Sequence, residues 1–286
     1  PGIQLEQIEV APIIGAFRRM VRGLEFDISE MAITTYLCAR AFGKPFTAIP
    51  IFLVRAFHHG AIVYNTKSGI TRPTDLEGRK VGLRGYTVTT GAWIRGILGS
   101  EYGVDLNKVT WVLAGDEHVA EYQPPANVVS APEGKELPGM LLSGEIDAAI
   151  GVGNVDSDDV KPLIPDARAA EVAYYQKTGV YPINHTVVVK NEALEAYPNL
   201  GQMLFEAFKQ AKQPYLDLLG SGSELSQRDQ AMATTAKMVE GDPLPYGVRS
   251  NQKAIEAIAH YAFDQKIIPQ KVGVEELFAA GTLDLS

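Results

Sequence analysis

One cysteine, Cys38, stands in a chain of 286 residues. An intramolecular disulfide is therefore excluded, and so is any CxxC zinc or redox motif. No run approaches the roughly 18 consecutive apolar residues of a membrane-spanning helix, so no membrane is expected as a partner. Positive charge is also scarce: 26 Lys and Arg stand against 34 Asp and Glu, a net charge of −8 with no long basic cluster. That argues against nucleic acid as a partner while leaving room for a local basic pocket. The GxGxxG, GxxxxGK[ST] and GxSxG signatures are missing, and no HxH or HExxH spacing marks a metal centre. The lack of disulfides fits a reducing cytoplasm, which is the expected location. The chain begins with Pro1 rather than Met, so a removed signal peptide, and with it a periplasmic location, stays open as the alternative.

What is present, 46% hydrophobic and 21% charged residues, is the composition of a globular protein of one or two domains. Short apolar runs alternate with amphipathic stretches, the order expected of α/β architecture. "GIQLEQIEV" reads as a strand and "IIGAFRRMVRG" as a helix closed by Gly23 at its C-cap. "FDISEMAITTYLCARAFG" reads as a short strand and a helix starting near Ser29, where Ser29 would cap it. "FTAIPIFLV" and "HGAIVYN" follow as strands. Then come the strand "KVGLR", the helix "TVTTGAWIRGILGSEYG", the strand "KVTWVLA", the helix and strand of "LPGMLLSGEIDAAIGVG", and the strand "HTVVVK". From about Glu192 onward the pattern is nearly all helical.

The stretch "DLEGRKVGLRGYTVTTGAW" sets a strand, a small polar turn and a helix start in succession. Free backbone N–H groups and the positive end of the helix dipole make such a start a ready anion site. The return strand near "NHTVVVK" suggests an inserted lobe. The expected division is a discontinuous first lobe, residues 1–81 with 188–286, and a second lobe, residues 82–187. A cleft between lobes is a preferred place for a small ligand.

"FDISEMAITTYL", "FHHGAIVYN", "YTVTTGAWIRGILGSEYGV", "YPINHTVVVKN" and "DPLPYGVRSNQKAIEAIAHYAFDQ" together resemble segments of the 4,5-dihydroxyphthalate decarboxylase family. "DLEGRKVG" resembles the "DLxGKxVG" lead of type II periplasmic binding proteins, the fold on which that family is built. The resemblance runs, with gaps, over most of the chain. It implies a two-lobed α/β fold of type II periplasmic-binding-protein kind, with an interlobe cleft and a helical C-terminal tail. It also implies non-oxidative decarboxylation of a dihydroxylated aromatic diacid, such as 4,5-dihydroxyphthalate, to a dihydroxybenzoate and carbon dioxide. A solute-binding subunit of an ABC-type uptake transporter is the alternative on the same fold. The family has Arg at the position of His58, and a first strand with an Asp/Arg-bearing loop ahead of Pro1, so the chain is expected to be truncated.

Such a reaction needs a proton for the ring carbon that loses its carboxylate, and cations or backbone donors for the second carboxylate. Histidine is the natural proton carrier near neutral pH. There are five histidines. Strand alternation lets only one of His58 and His59 face the cleft. With the family keeping histidine at the position of His59, the expected catalytic pair is His59 with His185. Glu30, Arg55, Arg84, Tyr86, Thr89, Thr90 and Arg95 are the expected substrate-binding residues. Each also has an ordinary structural reading, Thr89 as a helix cap and Arg84 as a solvated side chain. His59, His185 and Glu30 could instead hold a divalent ion that chelates a catechol, so the cofactor is either none or such an ion. Trp93 is expected in the core, and His118 and His260 at the surface. The partner is a small aromatic carboxylate, and the oligomeric state is left open.

Overall fold

The computed structural model describes residues 4–221 and 224–286. In chain order the strands are β1 (Ile28–Ala32), β2 (Phe46–Arg55), β3 (Ile62–Asn65), β4 (Lys80–Leu83), β5 (Thr110–Leu113), β6 (Val128–Ser130), β7 (Ala148–Ile150), β8 (Val160–Pro162) and β9 (Ile183–Lys190). The helices are α1 (Ile14–Gly23), α2 (Ile33–Ala41), α3 (Thr89–Tyr102), α4 (Leu137–Ser143), α5 (Ala167–Thr178), α6 (Asn191–Ala196), α7 (Leu200–Gly220), α8 (Gln227–Met238) and α9 (Val248–Asp264).

Two sheets result, one for each lobe. β9 is the middle strand of an antiparallel three-stranded sheet in the order β1-β9-β2. Its run Thr186–Val189 is buried, as a strand covered on both faces requires. The second sheet has six strands in the order β6-β5-β4-β7-β3-β8, parallel from β6 to β7 and antiparallel through β3 and β8. This is the two-lobed α/β architecture that the sequence leads one to expect, and α7, α8 and α9 form the helical tail.

Several local features differ from the sequence reading. β3 falls inside residues 1–81 but pairs with β7 and β8, so the chain crosses between sheets from Arg55 to Ile62. All of β9 belongs to the first sheet, so the return crossing comes before Ile183. Residues 4–10 form no strand: they are exposed up to a half-buried Val10, and among the described residues no strand pairs with them. Gly2 and Ile3, which open that expected strand, lie outside the described residues. Ser29 does not cap a helix, because β1 continues to Ala32 and its hydroxyl donates to the Glu30 carbonyl. Gly23 is still helical, and the left-handed C-cap falls on Leu24 at φ 50°.

Buried helices position the lobes. Every residue of α2 from Ile33 to Ala39 is buried, as befits a helix covered on all sides. α3 meets α9 at Gly96, where a Cβ would stand 2.1 Å from the Tyr261 ring, so only glycine allows this approach. The Trp93 indole N–H donates to the Ile183 carbonyl at 2.9 Å, tying α3 to the start of β9. Trp93 is a core residue, as expected.

Candidate active site at the seam of the lobes

α2 and α3 begin without a side-chain cap of their own. Their first turns therefore carry donors in need of partners. The Thr34 N–H donates to Thr89 Oγ1 at 3.3 Å, the two hydroxyls lie 2.7 Å apart, and Thr34 Oγ1 donates to the Thr87 carbonyl at 2.6 Å. The two helix starts thus meet across the seam, and Thr89 at the start of α3 satisfies one free donor of α2. Thr89 is buried by this contact, and Thr90 beside it is half-buried.

The turn ahead of α3 already holds an anion, and it belongs to the chain. The Tyr86 and Thr87 N–H groups and the Thr87 hydroxyl all donate to the carboxylate of Glu117, the last two at 3.0 and 2.5 Å. Glu117 sits on the loop after β5. That loop is clamped to α1 by Asp116, which pairs with Arg18 at 2.7 Å and Arg22 at 3.1 Å, while Arg22 also donates to the carbonyls of Glu117 and His118.

Next to this clamp, Glu30 of β1 and His185 of β9 form a pair. Ala32 lies opposite His185 in the register, so Glu30 is its diagonal neighbour on the same face. The His185 Nδ1 lies 2.5 Å from Glu30 Oε1, and both side chains are half-buried. An Nδ1–H that donates to a carboxylate fixes the tautomer and leaves Nε2 as the reactive nitrogen. Phe17 of α1 packs edge-on against His185 at 5.1 Å and lies 6.2 Å from His118. His118 in turn meets the Arg84 guanidinium at 3.5 Å. Among the described residues Arg84 is exposed and has no acidic side chain within ion-pair distance. The row Glu30, His185, Phe17, His118, Arg84 therefore spans both lobes.

Other expected site residues lie elsewhere. His58 is buried with its Nε2 at 3.2 Å from Asn184 Oδ1, and burial pushes its pKa down to about 4. His59 is buried against Tyr174 of α5 at 5.4 Å, its Nδ1 without a hydrogen bond and its pKa lowered by burial. No contact joins His59 to His185, which removes one ligand from the suggested metal set. Among the described residues no three His, Cys, Asp or Glu side chains converge to hold a metal ion. Arg55 is buried at the end of β2 and bonds to Asn251 and to the Tyr181 carbonyl. Arg95 is fully buried inside the second lobe. It donates to Gln265 at 2.8 Å and to the Tyr86 carbonyl at 2.5 Å, with its guanidinium 3.9 Å from the Tyr86 ring centre. Tyr86 meets the seam through its backbone N–H, which donates to Glu117, while its carbonyl accepts from Arg95.

Sequence reasoning did not point to Phe17, Arg18 or Glu117, and it placed His118 at the surface. His118 is instead 3% exposed, and burial with the nearby Arg84 and Arg18 holds its pKa down to about 4. His260 is at the surface as expected, 3.1 Å from Asp264.

Two α/β lobes joined by crossing segments, with helix starts meeting at their seam, define a type II periplasmic-binding-protein-like fold. The periplasmic aliphatic sulphonate binding protein SsuA from Escherichia coli shares it with a TM-score of 0.50 at 13% identity, over 93% of this chain and 79% of that one. A sequence profile of the NMT1/THI5 like family matches residues 25–217, and the chain belongs to that family. Its relatives include 4,5-dihydroxyphthalate decarboxylase from Comamonas testosteroni, 28% identical over 94% of this chain and 86% of the relative. The enzyme of the same description from Pseudomonas putida is 37% identical over 47% of this chain and 55% of its own length. The expected cytoplasmic location is not upheld by the fold comparison: the SsuA that shares this architecture is a periplasmic protein. Among the described residues no helix is long and apolar enough to cross a membrane.

Proposed function

We propose that the seam binds a small aromatic dicarboxylate and that the chain acts as a solute-binding protein of the kind that serves uptake transporters. The observation that carries this reading is the division of the row between lobes: Glu30, His185 and Phe17 on the first, His118 and Arg84 on the second. A ligand lying along it would hold the lobes together. Glu117 already occupies the donors ahead of α3, so a ligand carboxylate goes to Arg84, while Glu30 and His185 suit ring hydroxyls. Arg84→Gln is expected to weaken binding of 4,5-dihydroxyphthalate about tenfold, the scale of one hydrogen bond to a charged group. Unchanged affinity in titration calorimetry would remove Arg84 from the site.

Decarboxylation is the second reading, favoured by the Glu30–His185 pair together with the similarity to the Comamonas testosteroni enzyme over 86% of its length. The bond from ring carbon to carboxylate would break, carbon dioxide would leave, and the ring carbon would keep the electron pair and take a proton from Nε2 of a doubly protonated His185, which returns to the neutral ring with its Nδ1–H on Glu30. A panel of hydroxylated phthalates, followed at once by calorimetry and by carbon dioxide release, separates the two. Binding without gas supports the solute-binding reading, gas release supports the lyase, and neither signal overturns both.

A further inference from the structure

Away from the seam, a cavity of about 590 Å³ opens between the end of α5, the segment leading into β9 and the first turns of α9. None of Glu30, His185, Phe17, His118, Arg84 and Thr89 lines it. Its volume lies in the range of small-ligand pockets, roughly 300–1,000 Å³.

Arg55 is one of its walls and is only 7% exposed. A buried guanidinium normally finds a carboxylate, because an unpaired buried charge is costly. Arg55 has none within ion-pair distance among the described residues. Its two terminal nitrogens donate to neutral oxygens, Asn251 Oδ1 and the Tyr181 carbonyl, and its Nε has no partner. The guanidinium lies 4.2 Å from the centre of the Tyr181 ring, which recovers part of the cost. Burial lowers its pKa to about 10, so it stays charged at neutral pH. Asp242 also lines the cavity, but its carboxylate is engaged by Lys212.

The rest of the wall carries two further cations and one acid, and Arg249 lies 3.9 Å from Asp284 outside the cavity. Arg249 and Lys253 line the cavity from α9, with Glu256 a turn further along. α9 is 17 residues long and starts at Val248 after the N-cap Gly247, which has no side chain to cap it, so its first N–H groups and its dipole favour an anion there. Tyr175, Tyr181, Val239 and Pro245 supply apolar wall beside these charges. We infer that this cavity is a second binding site, for a small carboxylate with an aromatic body, whose charged end is held by Arg55 and the start of α9. Arg55, expected among the substrate-binding residues of the cleft, would then anchor a different site. The inference does not rest on the reading of the seam.

The test uses the full chain with the seam disabled by Arg84→Gln and His185→Ala, titrated with sodium benzoate in a buffer free of phosphate and sulfate. Ligand-observed NMR and calorimetry should report one saturable site. Adding Arg249→Glu or Lys253→Glu, both at exposed positions where folding is not at stake, should weaken it at least tenfold, and Arg55→Gln should abolish it with the circular dichroism spectrum retained. No saturable binding in the seam-disabled chain overturns the proposal. So does benzoate binding that ignores all three substitutions. Sodium sulfate that binds with benzoate's affinity and displaces it would mean an inorganic-anion site, and overturns the assigned ligand class.

Discussion

His185→Ala is expected to weaken binding of 4,5-dihydroxyphthalate by about tenfold or more, and to cut turnover by about a hundredfold or more if the ligand is decarboxylated. Glu30→Gln should reproduce most of the loss although it keeps the shape of the side chain. The carboxylate accepts from Nδ1 and sets which nitrogen of His185 carries the proton, whereas an amide can present its N–H instead and permit the other tautomer. The paired variants should cost little more than either one alone, since the two residues act as a unit. His59→Ala is the contrast: its ring packs on Tyr174, so the change should lower stability and leave affinity intact. Calorimetry and initial rates on the four variants are the measurement. Wild-type affinity in His185→Ala would remove the pair from the site.

Acidification from pH 7 to pH 4.5 is expected to destabilise the fold by several kcal/mol. His58 and His118 are buried, with pKa values near 4 in the folded chain, against about 6.5 when unfolded. The unfolded chain therefore binds more protons between these values, so stability rises with pH across the window. The contribution is complete above about pH 6.5 and is lost as pH falls toward 4, at about 3 kcal/mol for each histidine. His59 is shifted in the same direction by burial and adds to the trend. Urea unfolding at half-unit pH steps would reveal the slope. His118→Gln should flatten it by roughly half whatever it does to the plateau, and a flat profile in the wild type would contradict both assignments.

The two histidines show where sequence pattern stops. Alternation assumes a strand, and β3 begins only at Ile62. Residues 59–61 form a single 3-10 turn instead, so period two does not apply and both rings are buried, one toward Asn184 and one toward Tyr174. Thr89 was legible as the start of a helix, because a polar turn between a strand and an amphipathic run has a local signature. That its hydroxyl would be spent on Thr34, fifty-five residues earlier, has no local signature at all. Arg55, Arg84 and Arg95 read alike in the sequence. One closes a wall of the cavity at the start of α9, one faces the seam, and one is enclosed by Tyr86 and Trp111 inside a lobe.

By itself the sequence determined much of the order of elements, the α/β class, the exclusion of disulfides and the likeness to a decarboxylase family, though not β6, β8 or α5. The first three follow from apolar periodicity, turn residues and composition, each of which acts over a few neighbouring residues, whereas the likeness rests on the resemblance of whole segments such as "FHHGAIVYN". Only the tertiary structure decided that Glu30 meets His185, 155 residues away, that Glu117 fills the anion-binding turn, and that His118 belongs beside Arg84. Such meetings depend on how far each loop folds back and which face each element buries. Packing fixes these for all elements at once, and no short stretch of chain carries that information.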